Sequence, residues 1–235
     1  VKAISSMATR LLLADLMTAA AEAGLGEVET ESVGGVDAAE RVAAGEEFDL
    51  VFLADGALAK LADGGHVTPA SVTPLVLSQV AVAVPSDADT PAAATTDPAF
   101  ESVAGVRDAI RAATKIGYST GPSGTALVRM LEDWGLTAEV GGRLVQARPG
   151  IPVAQLLADG EVDLGFQQLS ELVGRPGVTV LGVMPQGCAI DTVFSGAVAT
   201  TSAEPDAAAV ILSFLGTDAA RDIARSHSFA VPPTR

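Results

Sequence analysis

Cysteine occurs once in the 235 residues, at Cys188. An intrachain disulfide and a multi-cysteine zinc site are therefore excluded, and Cys188 reads as a small core residue. The two histidines, His66 and His227, stand apart with no H-E-x-x-H pair, read as surface positions, and predict no metal site. Aromatic residues make up only 4% of the chain, too few for a stacking platform for sugars or single-stranded nucleic acid. Basic residues are scarce as well, 14 against 29 acidic ones, giving a net charge of −15 and a pI near 4.3. A nucleic-acid partner needs a basic surface, so none is expected. Although 49% of residues are hydrophobic, no apolar run reaches the roughly 18 residues of a membrane-spanning helix. Neither a Ser/His/Asp order nor a phosphate-loop lysine is present, and no cofactor is expected.

What the sequence does have is alternation. "VKAIS" reads as a strand, Met7 to Ala23 as a helix, "EVETESV" as a strand, "VDAAERVAAG" as a helix stopped by Gly45, and "FDLVFLA" as a buried strand. This is the βαβαβ rhythm of a parallel sheet covered by helices. After "LVLSQVAVAVP" the composition shifts to "SDADTPAAATTDPAFES", a loop, and a second βαβ series follows before "AIDTVFSGAVAT" and two closing helices. Two α/β lobes are expected, residues 1–82 with 190–235 and residues 83–189.

One turn carries more chemistry than the rest: "KIGYSTGPSGTALVRM", Lys115 to Met130. Pro122 suits the first helical position, where its missing N–H costs nothing. The amides of Ser123, Gly124 and Thr125 then sit at the positive end of the helix dipole. Tyr118, Ser119, Thr120 and Ser123 add hydroxyls, which together outline an anion site. The alternative is that these groups only cap the helix. Thr125 occupies the place of the second glycine of a nucleophile elbow, so G-x-S-x-G chemistry is not expected.

Five segments in order, "ISSM", "GGVDAAERVAAGEEFDLVFLADGALAKLADGGHV", "IGYSTGPSG", "VAQLLADGEVDLGFQQLSEL" and "FLGTDAARDIARSHSFAVPP", resemble the periplasmic solute-binding proteins of the molybdate-binding type. The resemblance spans nearly the whole chain. It implies an α/β, two-lobed type II periplasmic-binding-protein fold with the ligand in a cleft between lobes, and chain crossings near Val80 to Pro85 and Pro185 to Thr192. It also implies an exported chain, periplasmic or extracellular, whose opening without methionine would follow removal of a leader. A monomer that binds a small anion and works with an ABC-transporter permease is expected. Carried over, Ser5 and Ser6 supply donors at the first helix, and Tyr118, Ser119, Thr120 and Ser123 supply a second set. Gln167 of "GFQQ" joins the ligand residues.

Where molybdate binders of this type place a second serine, this chain has "SVGGVD", with Gly34 and Gly35 on the turn. A hydroxyl donor for a tetrahedral oxyanion is lost and room is gained. Arg10 and Arg148 could each offer a planar fork to a carboxylate, the alternative for both being surface solvation. An organic carboxylate is therefore preferred to molybdate. The glycine-bearing branch also resembles periplasmic aconitate isomerases, which shift a double bond by moving a proton. For that reading Tyr118, Asp55 and Glu171 are the candidate proton carriers; Asp55 and Glu171 serve equally well as helix caps, and Tyr118 as a hydroxyl that binds substrate. A binding protein is the first expectation and an isomerase the second.

Overall fold

The computed structural model describes residues 1–86, 92–148 and 150–232. In chain order the strands and helices open with β1 (Lys2–Ser6), α1 (Arg10–Glu22), β2 (Glu29–Val33), α2 (Gly35–Ala43), β3 (Leu50–Ala54), α3 (Asp55–Asp63) and β4 (Thr73–Pro85). Next come α4 (Val103–Ala112), β5 (Ile116–Tyr118), α5 (Pro122–Asp133), α6 (Thr137–Val140), β6 (Leu144–Gln146), α7 (Val153–Ala158), β7 (Leu164–Gln168) and α8 (Leu169–Leu172). β8 (Val178–Val183), β9 (Asp191–Val198), α9 (Pro205–Leu215) and α10 (Asp218–Ser226) complete the series. The chain divides into two compact units, Val1–Leu77 with Thr192–Arg235, and Ser78–Asp191. Part of the loop read from composition after Pro85, residues 87–91, lies outside the described residues.

In the first unit the strands run β2-β1-β3-β9, with β1 parallel to β2 and β3 and β9 antiparallel to β3. Period-2 alternation sends Ala3, Leu50 and Phe52 to one face, against Leu12, Leu13 and Leu16 of α1 and Ile211 and Leu212 of α9. Ile4, Val51 and Leu53 go to the other, against Ala38 and Val42 of α2 and Leu58 and Leu61 of α3. Both faces are covered, so these strands read as apolar runs rather than as alternating ones. The first helix starts later than its apolar pattern suggests. Met7–Thr9 form a 3₁₀ turn, and Arg10 is the first residue of α1 rather than one turn inside it. Gly45, at φ +84°, closes α2 as expected.

The second unit has the order β8-β4-β7-β5-β6, with β5, β6 and β7 mutually parallel and β4 antiparallel to β7 and β8. Phe166 and Ile116 pack with Leu127 and Leu131 of α5 on one face. Val153 and Leu157 of α7 cover the opposite face. There Gly165 lets the helix close in, since a Cβ would come within 2.8 Å of both side chains.

Candidate functional site

Parallel strands end at a common edge, and each is followed there by the start of a helix or turn. That edge gathers unpaired amides and the dipoles' positive ends, which is why ligands of open α/β sheets bind at it. Each unit has such an edge, and nearly all the residues singled out in the sequence lie on one or the other.

In the first unit β1, β2 and β3 deliver Ser6, Gly34 and Ala54 to the edge. Ser5 is fully buried, and its Oγ lies 2.7 Å from Ser32 Oγ on β2, a pair set by the parallel register of these two residues. Ser6 is 6% exposed and points to the opposite face. Its Oγ is buried and, among the described residues, has no hydrogen-bond partner. A Cβ on Gly35 would stand 3.6 Å from Ser6 Cβ, so the start of α2 lies directly over this serine. The first bond of α2 runs from Ala38 N to Gly34 O at 2.8 Å, and the amides of Gly35, Val36 and Asp37 precede it. Gly34, the N-cap, has no side chain to satisfy them and is exposed. Asp55 is the first residue of α3, and its Oδ1 accepts from Ser195 Oγ at 2.9 Å. Arg10 is exposed.

In the second unit β5 leads into Ser119–Gly121 and then α5, whose first residue is Pro122 as the sequence indicates. Ser119 Oγ is 2.9 Å from Ser123 Oγ, and Ser123, 4% exposed, donates to Gln168 Oε1 at 3.0 Å. Thr120 is exposed and makes no side-chain cap. The Tyr118 ring packs beside the first turn of α5, where a Cβ on Gly124 would come within 3.1 Å of Tyr118 Cδ2. Arg148 is exposed on the turn after β6. Among the described residues neither Arg10 nor Arg148 forms an ion pair.

Neighbouring residues of β7 face opposite ways. Gln167 turns to the α7 side, where its Oε1 accepts from Val153 N at 2.8 Å and its Nε2 donates to the carboxylate of Glu171. Gln168 is the one that reaches Ser123. Sequence reading missed it, because alternation says that one of the two glutamines faces α5 but not which. Burial pushes the Glu171 carboxyl above its ordinary value, against the opposing pull of Gln167 and Arg175. His227, read as a surface position, is half-buried and bonded to the exposed Asp15 at Oδ2, 2.7 Å away. No cluster of His, Cys, Asp or Glu able to hold a metal occurs among the described residues, and no described helix is long and apolar enough to cross a membrane.

Residues 1–230 match the model of the family described as bacterial extracellular solute-binding protein. An aconitate isomerase from Pseudomonas sp. is 35% identical over 198 residues, covering 82% of this chain and 71% of that protein. The Azotobacter vinelandii periplasmic molybdate-binding protein superposes with a TM-score of 0.72 at 20% identity, over 99% of this chain and 100% of its own. The substrate-binding domain assigned to a molybdenum ABC transporter from Clostridium difficile superposes with a TM-score of 0.80 at 14% identity, over 99% of both chains. The two structures share the fold.

Proposed function

The chain belongs to the family of bacterial extracellular solute-binding proteins, and from that premise we propose that its solute is a small organic polycarboxylate of the size and charge of aconitate or citrate, carried to an ABC-transporter permease. Ser6 carries the reading. A hydroxyl that is buried and unpartnered costs stability of order 1–3 kcal/mol, and Ser6 Oγ lies beside the amides at the start of α2, where an anionic oxygen would satisfy both. The second donor set is the start of α5, with the amides of Ser123 and Gly124 and the hydroxyls of Ser119, Thr120 and Tyr118. Arg10 and Arg148 are exposed and, among the described residues, outside any ion pair, and a guanidinium of this kind offers a planar fork to a carboxylate.

The choice of carboxylate over metal oxyanion rests on Gly34 and Gly35. They offer N–H groups and space but no hydroxyl, and a tetrahedral oxyanion is best enclosed by many short donors. Carbon-bearing anions gain from the room. The relative named aconitate isomerase points to the same class of molecule.

That relative also supports a second reading, in which the bound acid is isomerised. The step removes a proton from carbon beside one carboxylate and returns one at the other end of the allylic system. Glu171 is the best-suited carrier, because it is bonded to Gln167 at the end of β7 and burial raises its carboxyl above the ordinary value. Asp55 is bonded to Ser195, and the Tyr118 ring lies against α5.

The test uses Ser6→Ala and trans-aconitate. The substitution should leave the free protein as stable or more stable, by up to about 1 kcal/mol, while lowering affinity roughly tenfold, as loss of one hydrogen bond to a charged group does. Opposite signs in the two measurements separate a ligand donor from a packing residue. A variant that is less stable and binds undiminished would overturn the reading. Proton NMR of the same mixture distinguishes binder from isomerase: unchanged trans-aconitate supports the first, appearance of the cis isomer without added cofactor the second.

A further inference from the structure

Resting on the polycarboxylate reading, we propose that Gln168 is a positioning residue that sets the direction of a hydroxyl chain, and so decides whether the turn after β5 offers a proton or a lone pair to a bound group. Gln168 Oε1 can only accept, so the single proton of Ser123 is committed to it across 3.0 Å. With that proton spent, the 2.9 Å contact between Ser119 and Ser123 has one possible donor, Ser119. Ser119, half-buried at the outer end of the chain, then turns lone pairs outward. That polarity suits an incoming N–H or O–H and opposes a carboxylate.

A half-turn of the Gln168 amide reverses every link. Nε2 then donates to Ser123, Ser123 donates to Ser119, and Ser119 donates outward to an anionic oxygen. Each bond is kept, and only its sense changes, so the reversal is cheap and each link polarises the next. The neighbouring glutamine shows what a fixed amide looks like. Gln167 is held at both ends, by Val153 N and by Glu171, whereas among the described residues Gln168 Nε2 has no partner. Among the described residues nothing locks the amide of Gln168, and an anion at Ser119 is what turns it.

Two measurements test this. In the free protein, Gln168→Glu installs an acceptor that cannot reverse. Donation from Ser123 should hold that carboxyl at a lower pKa than in the Gln168→Glu/Ser123→Ala protein, read by NMR titration of the carboxyl carbon. Equal values would overturn the proposal. In calorimetry with trans-aconitate at pH 7, Gln168→Glu should bind at least about tenfold more weakly than the parent. Gln168→Met, which removes the carbonyl and releases the Ser123 proton, should bind at least about threefold tighter than Gln168→Glu, and Ser119→Ala should erase most of the gap between the two. A Gln168→Met protein as weak as Gln168→Glu, or a gap untouched by Ser119→Ala, would overturn the proposal. If the parent gives no heat with trans-aconitate while the carboxyl titration comes out as expected, the polycarboxylate reading fails and the commitment of the Ser123 proton to residue 168 stands.

Discussion

Replacing Gly124 with alanine should damage the second donor set by a route that no polar contact reveals. Gly124 lies in the first turn of α5 and has an ordinary helical backbone, so conformational freedom is not the reason for a glycine here. Space is. A Cβ at this position would stand 1.8 Å from the carbonyl oxygen of Ser119 and 2.8 Å from its carbonyl carbon. Ordinary carbon–oxygen contacts fall near 3.3 Å, so the helix start and the turn must part by about 1.5 Å. Both atoms met are backbone, and no side chain can swing away to absorb the overlap. Overpacking this deep costs about 2–3 kcal/mol, the upper part of the usual range, while the better helix propensity of alanine returns about 1 kcal/mol. The net loss is about 1–2 kcal/mol, a fall of roughly 2–8 °C in Tm for a chain of this size. Because the parting separates Ser119 from Ser123, affinity for trans-aconitate should fall by tenfold or more, as a misplacement of about 1 Å does at a preorganised site. Thermal unfolding and calorimetry on the same preparation check both numbers. Gly56→Ala is the control, since a Cβ there meets nothing within 4 Å in the first turn of α3. It should be neutral or stabilising by up to about 1 kcal/mol. Equal stability and affinity for Gly124→Ala and the parent would refute the close approach of α5 to the Ser119 turn.

Three further outcomes are expected. Gly34→Ser places the preferred N-cap at an exposed position where a Cβ finds only Asp37 Cβ, at 4.0 Å; stability should rise by a few tenths of a kcal/mol, and binding of molybdate or sulfate, measured by calorimetry, should strengthen relative to that of trans-aconitate. Glu171→Gln keeps an acceptor for Gln167 but cannot take a proton; if NMR finds isomerisation, turnover should fall by about 10² to 10⁴ with much less change in affinity. Acid stability should follow Asp49 and Asp163. Burial alone would raise both carboxyls, but for Asp49 this is outweighed by donation from Lys2 N, Ser202 Oγ, Glu204 N and Ala203 N, and for Asp163 by the Thr114 hydroxyl and the amides of Thr114 and Lys115. Both therefore lie below the ordinary carboxylate range when folded. Their contribution is complete above an unfolded value of about 3.9 and is lost as pH falls through the lower folded values. Glu171, shifted the other way, is relieved as pH falls through its raised value, so Asp163→Asn should flatten the acid limb of a denaturation profile and Glu171→Gln the limb above it.

Much of this protein was legible in one dimension because the signals involved are local. The apolar runs at Ala3–Ile4 and Leu50–Leu53, spaced by helical patterns, specify parallel strands covered on both faces. Pro122 and Gly45 mark a helix start and a helix stop through φ preferences that travel with the residue. The turn from Ser119 to Ser123 announced donors by composition alone, and the ordered motifs carried the family. Other features depend on which residues meet, and sequence spacing is silent on that. Ser5 and Ser6 are adjacent and chemically identical, yet alternation across β1 pairs one with Ser32 and leaves the other buried and open beside Gly35. Gln167 and Gln168 are likewise adjacent and identical. The face of β7 alone assigns the first to α7 and Glu171 and the second to Ser123. A one-residue step along a strand moves a side chain to the other side of the sheet, so the chemistry of each such pair was decided by the packing of helices on strands rather than by the residue types.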